Sequence, residues 1–180
     1  MKLTVETDRL LLRPFAPEDA EDMFNGWTSD PEVAKYVTWP AHKDVSVTRA
    51  LLAQWEKEYE KPERLNFAIV IKETNELIGG IDVVGYIEGT PVIGYNLNRK
   101  FWNRGYMTEA CRRVIELLFE KGHDTVKIDA MAENAASNRV IVKCGGVLVC
   151  TNDDERPLKG DVVRVNRYLV SKDSFARAAL

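Results

Sequence analysis

A chain of 180 residues with 45% hydrophobic content is long enough to bury one core, and residues 1–180 are expected to form a single domain. Its 25 basic and 28 acidic residues leave a net charge of −3 with no basic run, which argues against extended contact with nucleic acid or an anionic membrane. Cys111, Cys144 and Cys150 are odd in number and lack C-x-x-C spacing, so neither a disulfide framework nor a zinc site is expected; no apolar run reaches the ~18 residues of a membrane span, and MKLTVETDRL has no signal-peptide core, so the expected location is the cytoplasm.

In chain order, Leu10 and Leu12 alternate with polar or outward positions in TDRLLLRPF, predicting a first strand. Pro17, with Glu18 and Asp19 beside it, opens a helix, because its fixed φ and the helix dipole favour these residues there; Ala20, Met23, Phe24 and Trp27 then follow helical spacing. Pro31 behind Asp30 predicts a short second helix, and Val47, Leu51, Trp55 and Tyr59 recur every four residues in a third, from about Ser46 to Glu60. The period then changes. LNFAIVIK and LIGGIDVVGY are β-rich runs around the turn-like ETNE, and TPVIGYNL after Gly89 makes a third consecutive strand, so an antiparallel meander is expected.

A helix follows, with an apolar stripe of Met107, Ala110, Cys111, Val114, Leu117 and Leu118. TVKIDAMAEN is a strand, ASNRVIVKC a short helix ended by Gly145, and GVLVCT and VVRVNRYLVS are the last strands. The pattern is α+β, with one mixed sheet flanked by helices.

The stretch NLNRKFWNRGYMT joins a strand to a helix through a polar turn holding Gly105. The first N–H groups of a helix have no intrahelical partner, and glycine lets a backbone approach a phosphate closely. Arg104 to Thr108 would present such amides, with Arg99, Lys100 and Arg104 adding positive charge; a capped helix after a tight turn has the same local pattern. G-x-G-x-x-G and the P-loop pattern are both missing. About thirty residues on, a second polar turn at Asn134 opens another helix, where Asn134 or Ser137 would serve as caps or ligand contacts.

IGYNLNRKFWNRGYMTEACRRVIELLFE followed by NAASNRVIVKCGG resembles the acetyl-CoA-binding core of the GCN5-related N-acetyltransferase (GNAT) family. TDRLLLRPF, its acidic helix and SDPEV resemble the ribosomal-protein N-terminal acetyltransferase (RimJ/RimL-like) branch. Against the family's turn pattern of Gln or Arg, two residues, Gly, one residue, then Gly or Ala, this chain has Trp102, Gly105 and Met107; Asn103 and Gly146 stand where glycine and phenylalanine are frequent.

The resemblance implies a GNAT fold with a mixed, mostly antiparallel sheet of about seven strands, and direct transfer of acetyl from acetyl-CoA to a primary amine of a protein N-terminus or small molecule. It implies cofactor contacts at Asn96, Leu97, Asn98, Asn103, Arg104, Gly105, Tyr106, Met107, Thr108, Asn134, Ser137 and Lys143, with Ser137 the proton donor to the departing thiolate. Thr108 would cap the helix or touch phosphate. An amine acceptor, a homodimer and no metal are also implied. The base is not readable: Asp82, Asp129, Glu133, Glu155 and Asp161 are all candidates. The segment from Asp30 to Arg49 and a loop from Asn152 to Asp161, with acidic Asp153, Asp154 and Glu155, are expected to cover the amine site. The alternative is a non-catalytic relative that binds acetyl-CoA or acts through protein contacts.

Overall fold

The computed structural model describes residues 3–61 and 64–178. Among these residues, eight strands form one sheet in the order β1-β2-β3-β4-β5-β6-β8-β7, mostly antiparallel and flanked by helices. The strand beyond the expected seven is β1 (Val5–Glu6), two residues too short to show a period. By internal contacts the chain forms two compact units, one built from the described residues of Met1–Asp82 and Tyr95–Tyr106, the other from those of Val83–Gly94 and Met107–Leu180.

In the first unit, β1, β2 (Leu10–Arg13), β3 (Asn66–Ile71) and the start of β4 (Leu77–Ile87) pair antiparallel, with Val5 opposite Leu12, Leu10 opposite Ile71 and Asn66 opposite Asp82. Every residue of β3 is buried, which explains the unbroken apolar run from Phe67 to Ile71. The expected first helix is a 3₁₀ turn at Pro17–Asp19, α1 (Ala20–Met23) and a π turn at Phe24–Thr28, which keeps Ala20, Met23 and Trp27 on one buried side. They pack with Phe15, Val33, Leu52 and Ala68. Asp19 does more than favour a helix dipole, because Arg13 holds it bidentately at 2.7 and 2.8 Å and the Ala16 amide donates to it at 2.8 Å.

Asp30 caps α2 (Pro31–Ala34) by accepting from the Glu32 amide, and Asp44 caps α3 (Val45–Glu58) in the same way through Ser46. The buried face of α3 is turned from the expected one: Thr48 and Leu52 are buried and Val47 is exposed. Thr48 can be inside because its hydroxyl meets Thr28 Oγ1 at 3.0 Å and His42 Nδ1 at 2.8 Å.

In the second unit, β4 turns into β5 (Thr90–Leu97) through Glu88 and Gly89, both at positive φ, as a two-residue hairpin demands. α4 (Tyr106–Glu120) crosses over to β6 (Thr125–Met131), which runs parallel to β5 at Val92 opposite Lys127 and Ile93 opposite Ile128. The α4 stripe is buried as expected, with Ile115 added. Cys111 and Cys144 are buried free thiols, and the Cys144 hydrogen bond with burial raises the Cys111 pKa. α5 (Ala135–Lys143) leads into β7 (Val147–Arg156) and β8 (Asp161–Ser171), and α6 (Lys172–Arg177) ends the described chain. The expected loop from Asn152 is instead the far half of β7, paired from Asn152 opposite Val165 to Arg156 opposite Asp161, because the acidic run fits a solvent-facing strand as well as a loop.

Candidate active site

β5 ends at Leu97, and the chain then has to turn into α4 within nine residues. Asn98 starts the turn by accepting from the Lys100 amide at 3.0 Å, and the Trp102 indole N–H donates to the Leu97 carbonyl at 2.8 Å, tying the loop to its strand. Asn103 at φ +60° and Gly105 at φ +80° take left-handed conformations. Asparagine and glycine are the residues that take such conformations most readily. A Cβ on Gly105 would meet only Arg9 Nη2, at 3.4 Å, so the backbone at the helix start is open to a ligand. Thr108 is the third residue of α4 and lies inside its first turn.

The charges near this turn are not all where the sequence suggested. Arg99 donates to Asp30 at 2.7 Å, which partly neutralises it. Arg104 lies over the Phe101 ring at 5.5 Å, and Lys100 is exposed. Arg9, not foreseen at all, donates to the Arg104 carbonyl at 3.1 Å and stacks on Tyr106 at 4.4 Å. Its only sequence signal was its place in TDRLLLRPF, since a contact across 95 residues leaves no local pattern.

Asn96 Oδ1 is buried with no hydrogen-bond partner. An orphaned acceptor of this kind fits a ligand amide N–H. At the same strand, a Cβ on Gly79 would come within 2.4 Å of the Asn96 carbonyl, so β5 can approach β4 there only because Gly79 has no side chain. Met107 turns its side chain into the protein, 6% exposed, leaving its amide as the part that can serve a ligand. An open glycine turn, first-turn amides and an unpaired acceptor on the preceding strand fit an extended amide-bearing phosphate ester such as acetyl-CoA.

The start of α5 is closed by its own side chains. Asn134 Oδ1 accepts from the Ser137 amide at 3.1 Å, so Asn134 is a helix cap. Asn138 donates to the Met131 and Asn134 carbonyls at 2.9 and 2.7 Å and accepts from Tyr168 at 2.6 Å and from Asn166 at 2.9 Å, all four of its hydrogen bonds made. Sequence reasoning missed this residue, whose partners lie up to 30 positions away. Ser137 is half-buried beside it, and Lys143 is exposed at the last turn. Gly146 departs from the family's usual residue because a Cβ would lie 2.4 Å from Ile141 Cγ2.

Among the candidate bases, Asp129 is bound by Arg167, which also holds Asp154, and Asp161 is bound by Arg156. Glu133 and Glu155 are exposed. Asp82 differs. Burial raises its pKa to about 6, against the opposing pull of Arg64, whose Nη2 lies 3.5 Å away and whose Nε pairs with Glu58 at 2.9 Å. His42 is partly buried and its pKa is lowered by desolvation.

No helix among the described residues is long and apolar enough to cross a membrane. Residues 9–147 match the acetyltransferase (GNAT) domain. An uncharacterized N-acetyltransferase of Bacillus licheniformis, p20, is 29% identical over 96% of this chain and 98% of its own length. A GNAT-family acetyltransferase structure from Bacillus anthracis is 26% identical with a TM-score of 0.83, over 95% of this chain and 99% of that one. The microcin C7 self-immunity acetyltransferase MccE, solved with acetyl-CoA and AMP, shares the fold at a TM-score of 0.81 and 22% identity, over 92% of this chain and 93% of its own. The chain therefore belongs to the acetyltransferase (GNAT) family, as an N-acetyltransferase with acetyl-CoA as cosubstrate.

Proposed function

We propose that the whole chain acts as one cytoplasmic acetyltransferase domain of the ribosomal-protein N-terminal acetyltransferase branch, on a protein N-terminus or a small primary amine. The observation that carries the site is the open turn at Gly105, left-handed at φ +80° and leading into the first-turn amides of α4. Acetyl-CoA supplies an activated thioester carbonyl. The amides of Arg104, Gly105, Tyr106, Met107 and Thr108 hold its diphosphate, with Asn103 shaping the turn and Arg9 adding charge at its rim. The backbone of Asn96, Leu97 and Asn98 pairs with the amide-bearing arm, and Asn96 Oδ1 gains the donor it lacks.

Asp82 accepts the proton that an acceptor ammonium must lose before it attacks. A carboxylate with a pKa of about 6 is ionised at neutral pH yet more basic than an ordinary one. Ser137 donates the proton that the sulfur takes up on leaving; Asn134 shapes the helix start beneath it, and Lys143 adds a positive charge for phosphate. Carbon–nitrogen bond formation and carbon–sulfur cleavage then leave one proton on Asp82 and one on the thiol; the attacking nitrogen releases its second proton to water, from which Ser137 regains its own.

Calorimetric titration with acetyl-CoA, followed by thiol release on a panel of peptides with free N-termini, polyamines and aminoglycosides, tests the reading. Binding with turnover on the peptides supports the branch. Turnover confined to the small amines would remove the branch, and no binding would remove the site.

A further inference from the structure

Asn66, the first residue of β3, is 3% exposed, and its side-chain Nδ2 is buried with no hydrogen-bond partner. Its backbone is fixed: the Tyr59 hydroxyl donates to the Asn66 carbonyl at 2.9 Å and accepts from the Phe15 amide at 3.0 Å. Asn66 stands directly opposite Asp82 on β4, so both side chains leave the same face of the sheet, with Cβ atoms about 4.5–5.5 Å apart. The next pair on that face, Ala68 opposite Gly80, is covered by Phe15, whose ring would lie 2.9 Å from a Cβ on Gly80. The apolar layer ends there. Beyond it a buried donor and a carboxylate sit side by side without bonding each other, and the Asp82 side chain keeps 23% exposure, which leaves the pair a way out to solvent. A buried N–H left unpaired costs folding free energy, so a site that keeps one is suited to a ligand that brings the acceptor.

We propose that Asn66 is a specificity-determining residue, which donates from Nδ2 to an oxygen on the carbon next to the one that carries the acceptor's amine. The role given to Asn66 rests on that of Asp82 as the base in the proposed function. With the ammonium on Asp82, an acceptor bridges the pair only if it presents a lone pair a short distance from its nitrogen, as an N–C–C–O unit does. The carbonyl of an N-terminal residue and the hydroxyl of a 2-amino alcohol both meet this condition. A polyamine, with methylene groups at that place, leaves the Nδ2 hydrogens unpaired. The charges select the same kind of acceptor. Arg64 is shared between Asp82 and Glu58, so the three ionised side chains carry one net negative charge, which a single ammonium cancels. The neighbouring oxygen also withdraws electrons from the amine. An α-amine has a pKa of about 8 against about 10.4 for a lysine-like one, so its proton lies nearer the reach of a carboxylate.

Thiol release from acetyl-CoA by the full chain, with acceptors that differ at that oxygen, tests this. Glycinamide carries it as a carbonyl, ethanolamine as a hydroxyl, and propylamine not at all. Asn66→Leu should lower kcat/KM about tenfold or more for the better of the two oxygen-bearing acceptors and leave propylamine within about twofold; comparing acceptors across the two enzymes cancels their differing basicities. Turnover of glycinamide or ethanolamine with none of propylamine is the same result in its extreme form. A selective loss on glycinamide assigns the oxygen to a carbonyl, one on ethanolamine to a hydroxyl. Asn66→Leu should also melt no lower than the wild type, because it removes an unpaired buried donor at similar volume. Asn66→Ala is measured beside it, so that a packing fault with leucine does not decide the question. Equal losses on all three acceptors, or no loss on any, would overturn the role of Asn66 and leave the proposed function standing. A wild type that turns over no amine would remove the proposed function, and this role with it.

Discussion

The two helix starts that follow polar turns, those of α4 and α5, are built in opposite ways. α5 is sealed: Asn134 caps the Ser137 amide, and Asn138 stitches the first turn to β6 and β8 through four hydrogen bonds. α4 opens through two left-handed residues, Asn103 and Gly105, at a place where even a Cβ would meet only one arginine nitrogen. A helix that supplies its own cap gains stability from it, whereas one that leaves its first amides clear keeps them for a ligand. On the proposed reading, α4 receives the diphosphate and α5 serves as a rigid mount for one side chain, Ser137.

The largest expected effect is kinetic. If α5 exists to hold Ser137, Ser137→Ala should lower kcat by about 10²–10⁴ with acetyl-CoA affinity nearly unchanged, since a proton donor to the leaving sulfur acts in the transition state. Full turnover would reduce Ser137 to part of a helix start.

Asp82, outside both helices, comes next. In the wild type kcat/KM should rise with pH to a plateau through an apparent pKa near 6, and Asp82→Asn should abolish that limb and lower the plateau by about 10². The sign for stability is the reverse. A carboxyl with a raised folded pKa favours the folded state below the unfolded value of 3.8 and loses that contribution as pH rises through about 6. Asp82→Asn should therefore raise Tm relative to wild type at pH 8 and not at pH 4; a lower Tm at pH 8 would mean that Asp82 is held by its ion pair instead.

Asn138→Ala sharpens the contrast. It takes from the Tyr168 hydroxyl and the Asn166 side-chain amide the acceptor they share, and should destabilise the fold by about 2 kcal/mol in denaturant unfolding while acetyl-CoA affinity stays within about twofold. Arg9→Ala should do the opposite and least, weakening acetyl-CoA binding by a few-fold with little change in Tm, because an exposed arginine contributes modestly.

Much of this arrangement was legible in the sequence. The unbroken apolar run of β3, the meander through β5 and the stripe of α4 follow from periodicity, whereas Gly105 marked a strand-to-helix turn whose local pattern a plain capped helix shares, and only the second polar turn and the resemblance pointed to a ligand. What escaped was long-range. Thr48 sits where Val47 was expected because a buried hydroxyl found two partners outside its own helix, Thr28 and His42. Arg9 and Asn138 act on residues dozens of positions away, and β1 pairs over only two residues. The acidic end of β7 read as a loop because alternating exposure in a hairpin and irregular exposure in a loop give similar short polar runs.

The central claim, that the start of α4 rather than that of α5 receives the cofactor, is tested most directly by calorimetric titration of acetyl-CoA into wild type, Gly105→Val and Asn134→Ala side by side. A side chain at Gly105 intrudes on the open turn and strains its left-handed backbone, so its affinity should fall by about 2 kcal/mol or more. Asn134→Ala should lose about 1 kcal/mol of folding stability and bind acetyl-CoA within about twofold of wild type. Unchanged affinity in Gly105→Val, with a large loss in Asn134→Ala, would contradict the account.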